Sequence, residues 1–176
     1  MRIIFSIALL LAAPLAAHAQ TTENPAAEEL VIEGVNLTRD VACNGQNVGI
    51  YGASNQVALT GVCGMVILHG DSHVLILEQA EHLAITGAGH KVDAESLAGL
   101  DVGVADNTVT ATIAGQAKPA VVSVNGAGHA LALTLASHAE LGIDGTNHVV
   151  DWSLAEGTPE PAISLGGIDN AVNRVN

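Results

Sequence analysis

Val66-Ile67-Leu68-His69-Gly70-Asp71-Ser72-His73-Val74-Leu75-Ile76-Leu77 is the stretch that decides the fold. With His73 as position zero, apolar residues stand seven and five places before it and two and four after, and a glycine stands three before. The same template recurs around Asn55, His90, Asn107, His129, His148 and Asn170, at spacings of 18, 17, 17, 22, 19 and 22 residues. Of its 28 apolar positions 27 are apolar, Arg174 being the exception, in a chain only 49% hydrophobic overall, so the match is not a matter of composition. The glycine holds in six of seven copies, with Val104 in the other.

Alternation with period two marks strands with one buried face. A glycine between two such strands marks a corner that needs positive φ or a close backbone approach. A unit of this kind cannot bury its apolar side alone, but stacked copies share one continuous core. The expected fold is therefore all-β: a two-sided parallel β-solenoid of about seven coils of 17–18 residues. Seven coils at ~4.8 Å each make a stack about 30 Å long. Each buried Val, Leu or Ile adds roughly 1.5–3 kcal/mol, so aliphatic side chains can hold a domain nearly free of aromatics. A hexapeptide helix is the competing architecture. It would repeat apolar positions every six residues, whereas the apolar pairs here begin eight or nine apart, at Val57, Val66, Leu75, Leu83, Val92, Leu100 and Val109.

Residues 1–19 read as a secretory signal, with Arg2, an apolar run from Ile3 to Leu11 and a small-x-small site at Ala17-His18-Ala19. The run is short for a membrane span, and the remaining chain offers no other candidate. Residues 20–29 read as a disordered leader and 30–176 as one domain, with Leu30 to Leu37 starting or capping the stack. Without the signal the chain carries four Lys/Arg against eighteen Asp/Glu. That balance repels phosphate backbones and argues against nucleic acid. The expected location is periplasmic or secreted, in a bacterium, as a monomer or small homo-oligomer with an unknown envelope or extracellular partner.

Cys43 and Cys63 are the only cysteines, and an oxidising compartment favours a disulfide between them. Twenty residues is one coil plus two, slightly long for strict stacking, so a shift in the first coil is expected. Two free thiols binding metal are the alternative.

From Cys43 to Val172 the chain resembles a family of bacterial exported proteins known as domain of unknown function 3060. The resemblance is carried by Gly52-Ala53-Ser54-Asn55-Gln56-Val57, Gly70-Asp71-Ser72-His73-Val74-Leu75, Gly87-Ala88-Gly89-His90-Lys91-Val92 and Asp106-Asn107-Thr108-Val109, with two cysteines placed as the family's pair. It implies a secreted β-solenoid and no particular activity. The chain departs from that pattern in carrying His instead of Asn at four of seven centres.

Position zero shares the parity of the buried positions after it, so these side chains should point inward as a ladder serving the corner backbone. His73/His90 and His129/His148 then form adjacent pairs about 4.8 Å apart. Two readings follow. A neutral imidazole can replace the amide, one nitrogen donating and one accepting. Alternatively the pairs are ligands for a divalent metal, though a competent site wants a third ligand. His69 should face solvent; His82 and His138, with Glu81 or Glu140, form a weaker surface metal candidate.

Two coils carry extra residues, near Ile113–Val121 and Leu154–Ala162, at the corner opposite the ladder, where insertions often mark a binding face. Ile67, Val74 and Ile76, with Tyr51, form a candidate apolar cluster for pairing subunits. Thr108, Thr110 and Thr112 lie on a single coil, too few for an ice-binding array. Arg39, Lys91, Lys118 and Arg174 are scattered and no nucleophile motif frames Ser, His and Asp, so no catalytic residues and no cofactor are expected. A structural or envelope-accessory role and a binding module are the two functions left.

Overall fold

The computed structural model describes residues 29–115 and 118–175, and these form fourteen strands and no helix. Residues 1–28, where the expected signal and most of the expected leader fall, lie outside the described residues. The first coil holds β1 (Leu30–Val35) and β2 (Thr38–Asn44). The second holds β3 (Val48–Ala53) and the start of β4 (Gln56–Asp71), which runs on through the back corner into the third. β5 (Val74–Ala88) likewise joins the third coil to the fourth, which β6 (Lys91–Leu97) completes. The fifth to eighth coils follow as β7 (Gly99–Ala105) with β8 (Thr108–Ile113), β9 (Ala120–Ala127) with β10 (Ala130–Leu135), β11 (Ala139–Thr146) with β12 (Val149–Leu154), and β13 (Ala162–Leu165) with β14 (Ala171–Arg174).

All these pairings are parallel, each between strands of successive coils. The result is a β-solenoid of eight coils, one more than the repeat template marks out. The additional coil is the first, where Leu37 occupies position zero and so hides the repeat. The register stacks Ile32, Ile50, Leu68, Ile85, Val102, Val124, Ile143 and Leu165 in one column. On the other face Val57, Leu75, Val92, Val109, Leu131, Val150 and Val172 do the same. The two columns face each other and form the single core.

The corner follows from two positive-φ positions in every coil. The residue before position zero is left-handed throughout: Asn36, Ser54, Ser72, Gly89, Asp106, Gly128, Asn147 and Asp169. Asn, Asp and Gly tolerate that region best. Three before position zero, a Cβ on Gly70 would come within 1.9 Å of the Gly52 carbonyl oxygen, and the same clash would arise at Gly52, Gly87, Gly126, Gly145 and Gly167. Glycine is required there by the approach of the preceding coil as well as by its φ. Val104 breaks the rule at φ 75°, and the β7–β9 pairing lapses between Val102 and Ala105. A β-branched residue in this region is strained, and the local ladder yields to it.

Cys43 and Cys63 are bonded, with Cα atoms 4.9 Å apart. The shift that the spacing calls for lies in the second coil, not the first. β4 carries an irregularity between Leu59 and Val62, with Gly61 at φ 76° opposite Cys43. The staple ties the first coil to the second.

The proposed apolar cluster does not exist as one patch. Tyr51 and Ile67 lie outward on one face, in β3 and the second half of β4, whereas Val74 and Ile76 lie outward on the other, in the first half of β5. The corner at His73 turns the chain between them. Among the described residues no helix is long and apolar enough to cross a membrane.

Candidate functional site

The ladder is where the polar chemistry of the interior is concentrated. Asn55, His73, His90, Asn107, His129 and His148 are the buried polar side chains of the described residues, each at most 1% exposed. Their bonds run in one direction along the stack. The N–H of each position-zero residue donates to the ring Nδ1 or amide Oδ1 of the next coil. Leu37 donates to Asn55 at 2.9 Å, Asn55 to His73 at 3.0 Å, and His73 to His90 at 3.1 Å. His90 donates to Asn107 at 2.9 Å, Asn107 to His129 at 3.2 Å, His129 to His148 at 3.2 Å, and His148 to Asn170 at 2.9 Å. A backbone donor that water cannot reach is thereby satisfied at every corner.

This direction sets the histidine tautomer. Nδ1 accepts, so the proton sits on Nε2. That nitrogen donates to the carbonyl four residues back: His73 to His69, His129 to Asn125 and His148 to Asp144, at 3.2, 2.9 and 3.2 Å. The asparagines do more, since Nδ2 carries two hydrogens. Asn107 reaches both Gly103 and, in the coil before, Gly87, at 3.0 and 3.1 Å. Asn55 and Asn170 bridge coils in the same way. An imidazole rung therefore holds two coils together with one bond fewer than an amide rung.

In place of that bond the histidines have ring stacking. His73 and His90 lie 5.1 Å apart and 5° from parallel, and His129 and His148 4.9 Å apart and 4° from parallel. The pairing expected from the spacing is present. Burial and then the neighbouring His73 ring push the His90 pKa down to about 4, with the Thr86 carbonyl and Asp71 opposing. His90 Nε2 has no hydrogen-bond partner, and the Thr86 carbonyl falls short of that geometry. His129 is also lowered, chiefly by burial.

As ladder members, His73, His90, His129 and His148 aim the ring lone pair at a backbone N–H, and a cation would have to displace that bond. Among the described residues no group of three or more His, Cys, Asp or Glu is placed to hold a metal ion. Outside the ladder, His69 is exposed and its Nδ1 meets Thr86 Oγ1 at 2.9 Å. His138 is exposed too. His82 is paired with Asp101 at 2.8 Å rather than with the carboxylate of Glu81, its chain neighbour. Adjacent residues on a strand point to opposite sides, so the partner comes diagonally from the next coil.

Sequence reasoning expected Leu30 to Leu37 to start or cap the stack and singled out Arg174 as the template's exception, but it missed Arg39 and what Arg174 covers. Arg39 and Arg174 stand at core-column positions of the first and last coils on the same face. Arg174 lies over the Trp152 ring, 5.4 Å from its centroid, and binds Glu160 at 2.6 Å. The one exception to the apolar template is thus the cover of the column's last large side chain.

The two long back-corner connections lie where the spacing puts them, at 114–119 and 155–161, residues 116 and 117 lying outside the described ones. Gly115, Lys118 and Pro119 of the first line an open groove of about 690 Å³ with Glu81, His82, Gly99 and Val121. No family model, no curated protein and no solved structure matches this chain. The resemblance to domain of unknown function 3060 stands on the repeat residues alone.

Proposed function

We propose that this chain is an exported, non-catalytic β-solenoid with a structural or envelope-accessory role, belonging among proteins of the domain of unknown function 3060 type. One observation carries the reading: the ladder's buried polar side chains are spent on backbone groups of their own corners and of neighbouring coils. Such groups hold a shape rather than act on a substrate. The disulfide, of the kind that persists in oxidising compartments, and the strongly acidic composition suit an extracytoplasmic protein. The test is fractionation of the producing cell with a tagged full-length chain, followed by light scattering of the purified protein. Recovery from the periplasm or medium as a monomer or small oligomer supports the proposal; retention in the cytoplasm overturns it. Cleavage of polyuronates by the pure protein would overturn the non-catalytic part.

A binding module is the second reading, and the groove beside the first long connection favours it. Loss of a captured envelope partner on shortening 114–119, with the melting temperature unchanged, would select this reading over the first.

A further inference from the structure

The ladder contains two kinds of rung, and they differ in what a proton does to them. An amide oxygen keeps its acceptor lone pairs at any physiological pH. An imidazole Nδ1 has one lone pair, and in this protein that lone pair receives the N–H of the preceding coil. When a solvent proton binds there, both facing atoms carry hydrogen and the N–H···N bond is lost. Each stacked pair would also bring two cations about 5 Å apart, which disfavours charging both rings together.

We propose that the ladder is an acid-released fastener, in which protonation of Nδ1 on His73, His90, His129 or His148 parts the corner from the coil before it, at the two histidine pairs, while the asparagine rungs stay closed. The four bonds concerned join the second coil to the third, the third to the fourth, the fifth to the sixth and the sixth to the seventh. The bond from the His90 N–H to Asn107 Oδ1, between the fourth and fifth coils, lies between the two sets, so the stack loosens in two regions separated by a rung that acid does not touch.

The charged surroundings do not cancel this. Asp71 favours the charged form of His90, while His73 and His69 oppose it and Lys91 follows His90 directly in the chain. Asp106 favours the charged form of His129, and Asp144 and Asp169 stand in the neighbouring corners. Burial outweighs them: both His90 and His129 are shifted down. The sign follows. A histidine lowered on folding contributes stability that is complete above its unfolded value near 6.5 and is lost as pH falls through its folded value, about 4 for His90.

Amide hydrogen exchange of the full chain, corrected for intrinsic rates, tests this between about pH 7.5 and about pH 3.5, a window that brackets the His90 value of about 4. The amides of Asn55, His73, Asn107 and His129 bond to histidine Nδ1; those of Leu37, His90 and His148 bond to asparagine Oδ1. The first group should lose at least about tenfold more protection than the second on acidification. Equal loss in all seven would overturn the proposal. In parallel, the chain bearing H73N, H90N, H129N and H148N should lose most of the wild-type fall in melting temperature, which is expected to be roughly 5–10 °C over this range. The variant keeps every carboxylate of the native chain, so an unchanged fall in a folded variant sinks the idea. Should that variant not fold, the exchange measurement on the native chain decides alone.

Discussion

The first and last coils of the described residues each leave a core column with no described coil over it, and they differ in how they are closed. In the first coil Leu37 replaces the ladder side chain and packs on the core, Ile32 beneath it is 7% exposed, and the disulfide ties the coil to the next. In the last coil β13 is exposed along its whole length, with Ile163 41% and Leu165 56% exposed, while Val172 packs part-buried against the core and Arg174, held by Glu160, lies over Trp152. The first end combines an apolar residue in place of the ladder side chain with a covalent tie to the next coil. A surface ion pair is worth little by comparison. A head-to-tail copy would set Leu37, which has no side-chain acceptor, against the N–H of Asn170, and would bring Arg39 near Arg174. Inward-pointing charge is a known guard for strand edges.

If this comparison is right, the eighth coil opens first, and four changes test it from the largest effect down. Trp152→Ala removes the large side chain beneath Arg174 and should cost about 3–5 kcal/mol in denaturant unfolding. It should also release amides of β12 and β14 ahead of the rest. A loss below about 1 kcal/mol would mean the last column is already open. Breaking the Cys43–Cys63 bond, by the double serine change, should cost roughly 3 kcal/mol for a loop of this size. It should make the first coil exchange as quickly as the eighth; if the first coil stays protected, Leu37 alone caps that end. Leu37→Asn restores the repeat residue in the first described coil, and should lower stability by about 1–2 kcal/mol through lost apolar burial. A gain in stability would contradict the capping role. Arg174→Ala is the mildest, within ~1 kcal/mol, since its ion pair is half exposed, and its effect should shrink further in high salt.

Some parts of this were readable before any coordinates. The inward columns were, because period-two alternation leaves only one face to bury. The corner glycine was, because few other residues accept both the φ and the close carbonyl. The burial of the histidines followed from parity alone. Other parts were not. Leu37 looks like any strand leucine until its register against Asn55 is known. The outward residues Tyr51, Ile67, Val74 and Ile76 look adjacent on paper, yet a corner separates them. The His82–Asp101 pair crosses between coils on a diagonal that spacing does not define.

The chain's own pattern determined the stack, its two core columns and the row of amides and imidazoles at one corner, since those depend on local periodicity and on the preferences of single residues. Only the three-dimensional structure decided which ring nitrogen carries the proton, where the disulfide finds its missing register shift and how each end is closed. Those outcomes depend on which groups of neighbouring coils come within hydrogen-bond or bonding distance, and that distance is set by the packing of residues about eighteen apart rather than by any one segment.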